Sequence, residues 1–184
     1  MLKTMHCPKN LYILIQDYLK NRQITLNYVD TTVEKTMTRG CIQGSVLGPL
    51  FWNIILDDLF EVSLPEGCYI QAFADDVLLI ASNKNIQSLE LNTNAALRKI
   101  INWGNSVKLA FGPEKTKAIP FTARAKHIQI TIGNKPVEIV NQIKLLGVIL
   151  DSNLKFIHHS KYITQKAIKI HRSISQMLIN MVLI

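Results

Sequence analysis

The chain of 184 residues is poor in cysteine: Cys7, Cys41 and Cys68 are widely spaced, and no C-x-x-C occurs. An odd count at such spacing argues against a disulfide framework or a zinc site. The five histidines supply no finger either, since His158 and His159 are adjacent and no cysteine stands at ligand spacing from them. Long apolar runs are missing as well. The densest, residues 46–60, contains Pro49, Asn53, Asp57 and Asp58, and reads as a buried helix, not a membrane span. The opening Met1-Leu2-Lys3-Thr4 has no apolar h-region, so no secretory signal is expected. No repeat or low-complexity stretch is present.

Acid is scarce in the second half. Residues 93–184 hold 14 Lys/Arg against 3 Asp/Glu, a net +11, whereas residues 1–92 hold 7 against 10, a net −3. An acidic half beside a basic half fits a metal site next to a polyanion-binding surface. Basic helices that only keep the chain soluble would give the same counts. The composition, 48% hydrophobic and 18% charged, is that of a globular chain able to bury a core.

Pro8 suits a helix start, and Leu11, Leu14, Ile15, Tyr18 and Leu19 recur at helical spacing, so residues 9–21 read as an amphipathic helix. Residues 24–29 alternate as a strand, and 33–38 form its returning arm. A loop with Gly40, Gly44 and Gly48 leads into a helix from Pro49 to about Phe60. Two short apolar runs, 69–73 and 77–81, flank Ala74-Asp75-Asp76, which reads as a tight hairpin. Residues 85–103 are helical, with Gly104 as the stop. Short strands are expected at 107–110, 116–121, 127–132 and 142–150, followed by a basic helix from about His158. Helices mixed with antiparallel hairpins make the chain α+β.

Two adjacent carboxylates at a hairpin apex repel one another unless something neutralises them. A divalent cation does so. Mg²⁺ takes carboxylate oxygens and keeps sites open for water and substrate phosphates, and a pair of ions can clamp both oxygens of an in-line phosphoryl transfer. A solvated Asp-Asp turn is the plainer alternative. Upstream, the glycines of the loop let backbone approach a ligand closely, and Gln43 and Ser45 offer hydrogen bonds at the mouth of a helix.

The order of these segments resembles the reverse transcriptase of non-LTR (LINE-type) retrotransposons, especially the arthropod jockey-like branch. Residues 39–50, Arg-Gly-Cys-Ile-Gln-Gly-Ser-Val-Leu-Gly-Pro-Leu, are similar to that family's R-G-x-P-Q-G-S-x-L-G-P block. Phe73-Ala74-Asp75-Asp76 resembles its [FY]-x-D-D block. Trp103, Leu109, Glu114, Lys115 and Thr116 are similar to W…L…N-x-x-K-T, and residues 144–151 to K-x-L-G-V-x-x-D. Four blocks in the family's order span roughly residues 10 to 170, which sets aside an unrelated α+β domain with a chance doublet.

The resemblance implies a right-hand polymerase palm, an antiparallel sheet with helices on one face. Residues 1–38 would belong to the finger side, 39–151 to the palm, and 152–184 to the start of a helical thumb. It implies that Asp75 and Asp76 hold Mg²⁺, or Mn²⁺ in its place, and are catalytic together with Lys115, which would sit near the triphosphate. Gln43, Gly44, Ser45 and Phe73 would meet nucleotide and template, and Leu146 and Gly147 would form the turn that grips the primer. RNA template, DNA primer and deoxynucleoside triphosphates are the implied partners, with no membrane, and the implied location is nuclear. The chain departs from the family at Ile42, where proline is usual, and at Gly112, where asparagine is usual. The family's first metal-binding aspartate belongs to a strand expected ahead of Met1, and the endonuclease region is expected upstream too. Asp17 and Asp30 lack that strand's context. This reading makes the chain a fragment, inactive alone; a nucleic-acid-binding remnant is the alternative.

The uneven charge generates a measurable expectation. The chain should bind an RNA–DNA duplex with little sequence preference, and log K should fall steeply against log salt as phosphate contacts release counterions. A flat slope would leave the net +11 of residues 93–184 as solvated surface.

Overall fold

The computed structural model describes residues 6–38, 40–42 and 44–181, so Arg39 and Gln43 of the glycine loop lie outside the described residues. The fold mixes helices with short strand pairs and divides into two compact units. One gathers the described residues up to Ser63 with Ile70–Leu79; the other holds Leu64–Tyr69 and the chain from Ile80 onward.

In the first unit, α1 (Lys9–Leu19) opens behind Pro8, whose carbonyl accepts the Tyr12 N–H at 2.9 Å. Proline costs nothing there, because the first amides of a helix have no intrahelical acceptor. Strands β1 (Arg22–Tyr28) and β2 (Thr31–Met37) pair antiparallel, from Arg22 opposite Met37 to Tyr28 opposite Thr31. The two-residue period puts Ile24, Leu26, Tyr28, Val33 and Met37 on one face, with Arg22, Thr31 and Lys35 among them, and Gln23, Thr25, Asn27, Thr32, Glu34 and Thr36 on the other. On the polar face Thr32 Oγ1 donates to Asn27 Oδ1 at 2.9 Å across the ladder. The apolar face is exposed; Leu26 keeps 64% of its surface. Helix α2 (Leu47–Phe60) begins before the expected Pro49, which sits in its first turn. Leu56 and Leu59 of α2 are buried, whereas Asp57 and Asp58 are exposed.

Strands β3 (Cys68–Phe73) and β4 (Asp76–Ala81) pair as a hairpin. Its base lies in the second unit. Gly67 has φ +76, and an added Cβ would run into the Ser82 carbonyl; the Ser82 N–H donates to the Gly67 carbonyl at 2.8 Å. Only glycine meets both conditions. Cys68 is buried, and burial pushes its thiol pKa up. All three cysteines are free.

Helix α3 (Ile86–Ser106) is capped by Asn85, whose side chain accepts from the amides of Gln87 and Ser88. It runs past Gly104, the expected stop, to Ser106. Gly104 is there for space: a Cβ would stand 2.9 Å from the Phe111 ring and 3.0 Å from the Leu109 carbonyl. The chain folds back beneath it, with Leu109 N–H donating to Gly104 O at 2.8 Å and the Phe111 ring tilted against that of Trp103, their centroids 6.4 Å apart. Residues 107–110, expected as a strand, make this return turn instead, with Lys108 at φ 61.

The remaining strands are shorter than their apolar patterns suggested. β5 (Lys117–Ala118) is followed by a 3₁₀ turn (Ala123–His127), then by β6 (Thr131–Ile132), β7 (Lys135–Pro136) and β8 (Glu138–Ile139). β6 and β7 form an antiparallel hairpin, while β5 pairs parallel with β8. Residues 142–150, read as one strand, split into β9 (Gln142–Leu145) and β10 (Val148–Asp151), an antiparallel hairpin. The expected antiparallel sheet is therefore, among the described residues, a set of two-stranded ladders, one of them parallel. Beside β6 the neighbouring element is α3, not a further strand. Asn94 of α3 donates from Nδ2 to Gln129 O at 2.8 Å and accepts from Thr131 N at 2.9 Å. One turn earlier, Glu90 accepts from Gln129 N at 2.9 Å. Beneath these bonds Ile130, Ile132 and Val137 form a core with Leu97, Ile101, Ala118, Ile128 and Ile139.

Helix α4 (Ile157–Met181) closes the chain with an apolar stripe left largely open, Ile163, Ile170 and Ile174 being about half exposed. Among the described residues no helix is long and apolar enough to cross a membrane.

The Asn94 amide imitates a neighbouring strand, so Asn94→Ala should remove two backbone partners. At 0.5–1.5 kcal/mol per net hydrogen bond, the expected loss is about 1–3 kcal/mol. Denaturant unfolding should show a lower midpoint at unchanged slope, with faster amide exchange at Thr131. Wild-type exchange there would refute the arrangement.

Candidate functional site

The site begins with a two-residue connection. Ala74 and Asp75 form the turn between β3 and β4, and Asp76 is the first residue of β4. Ala74 holds φ 51, a left-handed conformation that costs an alanine about 1–2 kcal/mol. Its carbonyl accepts the indole N–H of Trp52 at 2.6 Å. Trp52 lies on α2, one helical turn beyond Gly48 of the glycine loop, so the helix that follows the loop touches the carboxylate apex.

The loop is tied to the same helix. Gly40 and Gly44 take φ 78 and 84, open to glycine and strained for other residues. Ser45 N–H donates to Ile42 O and Gly48 N–H to Ser45 O, at 3.0 and 3.2 Å. The Tyr18 hydroxyl of α1 donates to Ser45 Oγ at 2.9 Å, and the Tyr18 ring lies 6.1 Å from that of Phe51. Tyr18, Ser45, Phe51, Trp52 and Ala74 thus link α1, the loop, α2 and the apex within one unit. Ile42, at the family's proline position, supplies one of the turn carbonyls.

Asp75, Asp76 and Phe73 are all exposed. Neither carboxylate is ion-paired or hydrogen-bonded among the described residues. Exposed oxygens with no protein partner are the donor set a hard divalent cation takes. Among the described residues, however, no three His, Cys, Asp or Glu side chains gather into a metal-holding group. Asp17 is on α1 and Asp30 follows the β1–β2 turn residue Val29; both are exposed.

The other expected residues belong to the second unit. Lys115 is exposed on a turn whose hub is the Gly112 carbonyl, which accepts from Lys115 N, Thr116 N and Thr116 Oγ1 at 3.0–3.1 Å. Backbone does the work there, so glycine at 112 leaves the turn closed. Leu146 and Gly147 form the β9–β10 turn with φ 48 and 86, both left-handed, as a two-residue hairpin of matching twist requires. This hairpin docks on α4: Lys144 Nζ donates to Tyr162 OH at 3.2 Å, and Ile149 N–H donates to His159 Nδ1 at 3.4 Å. The Lys144 ammonium, first by that hydrogen bond and then by its charge, lowers the Tyr162 pKa.

Two residues that the sequence left without a role acquire one. Trp52 holds the apex. Asp151, last in the K-x-L-G-V-x-x-D segment, accepts from the amides of Asn153, Lys155 and Phe156 at 2.7–3.1 Å and so shapes the entry to α4. A D-x-N run before a helix was the available signal for Asp151; nothing local marks Trp52.

Residues 1–150 match the family model described as reverse transcriptase (RNA-dependent DNA polymerase). The chain belongs to the reverse transcriptase family. Its relatives are proteins of arthropod non-LTR retrotransposons. It is 29% identical over 156 residues to the 115 kDa protein of the type-1 retrotransposable element R1DM of Drosophila melanogaster, covering 83% of this chain and 15% of that protein. It is 27% identical to the Pol polyprotein of the R1 element of Bradysia coprophila, covering 90% of this chain and 17% of that protein. To the RNA-directed DNA polymerase from mobile element jockey of Drosophila melanogaster it is 24% identical, covering 86% and 18%. The chain therefore spans about one sixth of the length of these relatives. No solved structure matches it.

The Asp151 turn can be tested by pH. Its carboxyl lies below the ordinary carboxylate range, chiefly through the Lys155 amide, with the Phe156 and Asn153 amides and the His158 charge adding to the effect and partial desolvation opposing it. A depressed folded pKa gives a contribution fully present above the unfolded value, about 4, and lost as pH falls through the lower folded value. Exchange protection at Lys155 and Phe156 should hold at neutral pH and vanish on strong acidification. Asp151→Ala should raise exchange at both amides several-fold at neutral pH. Unchanged rates in the variant would show that the three bonds do not close the turn.

Proposed function

We propose that this chain is the palm-bearing part of an RNA-directed DNA polymerase of a non-LTR retrotransposon, with finger-side residues at 1–38, the palm at 39–151 and the start of the thumb at 152–184. The reaction is attack of a primer 3′-hydroxyl on the α-phosphate of a deoxynucleoside triphosphate, with pyrophosphate leaving. The observation that carries this reading is the Asp75–Asp76 apex tethered through Trp52 to the helix that follows the glycine loop. A chance acidic turn would not need that tether.

Asp75 and Asp76 would hold Mg²⁺, or Mn²⁺ in its place; when bound, the ions stabilise charge on the attacking and leaving oxygens. The chain's own groups do the rest. Gly44 and Ser45 offer backbone and hydroxyl to the incoming nucleotide, as Gln43 would by family resemblance. The exposed Phe73 ring packs against nucleotide or primer end. The Lys115 ammonium balances triphosphate charge and gives a proton to departing pyrophosphate. The Leu146–Gly147 turn holds the primer strand. Lys161, Lys166, Lys169 and Arg172 of α4, a helix with no acidic residue from 157 to 181, track the duplex phosphates. RNA template, DNA primer and the rest of the element's protein are the partners, and the nucleus is the place of action.

A second reading, a binding remnant without catalysis, has one observation in its favour: the described residues bring no third metal-ligating side chain to the apex. Two carboxylates from one turn leave a two-ion clamp half built. Losing several kcal/mol of transition-state stabilisation slows the step about a thousandfold or more.

Primer extension on an RNA template with Mg²⁺ or Mn²⁺ tests both readings. The chain of 184 residues should not extend the primer. A longer protein of the element, adding a further aspartate-bearing strand, should extend it and lose that activity on Asp75→Ala. Survival of activity in that variant would sink the site. Extension by the short chain, abolished by Asp75→Ala, would show that another of its own groups completes the clamp.

A further inference from the structure

We infer that Trp52 is a positioning residue for the metal-holding carboxylates, fixing the height and tilt of the Asp75–Asp76 apex through its indole N–H. The inference rests on the proposed reading of Asp75 and Asp76 as metal-holding groups.

Three observations converge on it. The bond is short, 2.6 Å from Nε1 to the Ala74 carbonyl, and joins residues 22 apart in sequence. Its acceptor belongs to the residue immediately before Asp75. The peptide that carries this carbonyl also carries the Asp75 amide, so fixing one end of that rigid plane fixes where the Asp75 Cα begins. The acceptor residue is itself strained: Ala74 stands at φ 51 with no glycine to ease it. The two-residue hairpin calls for that positive φ, and the indole bond holds the carbonyl of this strained residue in one orientation.

The donor's own seat is firm. Trp52 lies on α2, whose next residue toward the loop, Phe51, packs on Tyr18, which in turn holds Ser45. The tether therefore links the carboxylates to the loop proposed to meet the nucleotide, and a shift of either would be felt by the other. A mere space-filling tryptophan would need the ring and not the N–H.

Trp52→Phe separates these roles, since it keeps an aromatic ring and deletes the donor. Mn²⁺ is titrated into the full 184-residue chain and followed by electron paramagnetic resonance. The variant should keep the wild-type circular dichroism, with its unfolding midpoint lowered by no more than the loss of one hydrogen bond explains. Its Mn²⁺ affinity should fall about 2- to 10-fold, the range one net hydrogen bond supports, and amide exchange at Asp75 and Asp76 should quicken. Asp75→Asn with Asp76→Asn serves as the control and should abolish the Mn²⁺ binding. If the control binds Mn²⁺ as the wild type does, the metal reading itself fails. If the control loses binding while Trp52→Phe keeps both affinity and exchange rates, the positioning role is overturned. Should Trp52→Phe not fold, the wild-type indole N–H resonance decides, identified by its persistence in Trp103→Phe. It should be protected from exchange and broadened by Mn²⁺; an indole proton exchanging freely would overturn the inference.

Discussion

The hydrogen bond from the Trp52 indole to the Ala74 carbonyl is the contact through which the amino-terminal helix, the glycine loop and the acidic hairpin become one piece. Two neighbouring carboxylates repel, and a two-residue turn gives them no room to separate. Left alone, such a turn would be free to reorient under that repulsion. The helix that grows out of the glycine loop prevents this by reaching the apex with a donor, while Tyr18, against the neighbouring Phe51, ties the same end of that helix to Ser45 of the loop. Each part is marginal: α1 buries none of its residues completely, and the β1–β2 face is open. Their mutual ties substitute for a deep core.

The second unit solves its problem differently. Its strands are two to four residues long from β5 onward, too short to stabilise themselves as a sheet. Helix α3 compensates with polar side chains used as backbone mimics. Asn85 caps its own first turn, Asn92 reaches the Glu66 carbonyl, and Asn94 and Glu90 line the segment at 129–131. The Lys117–Glu138 pair, 3.1 Å apart across the parallel ladder, adds little because both side chains are well exposed. Order here comes from directed hydrogen bonds over a small apolar cluster.

Legibility followed the range of the interactions concerned. The amphipathic period of residues 9–21 and the alternation at 24–29 are local, and both elements stand within a few residues of where the pattern put them. The acidic hairpin was legible because apolar runs bracketed an obligatory turn. Gly104 misled because glycine ends helices by conformation, whereas here it is retained for contact with Phe111 and Leu109, seven and five residues further on. The single strand expected at 142–150 missed a turn because Leu146 hides a left-handed position that only its partner Gly147 advertises. Trp52 was invisible as a site residue: an indole in an apolar helix reads as core until its partner 22 residues away is seen. The four motif blocks pointed correctly to the reverse transcriptase family.

The β1–β2 hairpin carries a consequence for handling the chain. Its ladder runs seven residues per strand, and among the described residues neither outer edge is paired with a third strand. An unpaired edge is a row of amide and carbonyl groups at the spacing another strand needs. One face beside those edges is apolar, with Leu26, Tyr28 and Val33 open to solvent. Concentrated preparations of the isolated polypeptide therefore carry a built-in template for strand addition between molecules. Arg22 and Lys35 are the charges on that face, and charged side chains of this kind blunt an exposed edge. The net charge of +8 opposes such addition most at low ionic strength, where it is least screened, so self-association on adding salt is a consequence of the same exposed ladder.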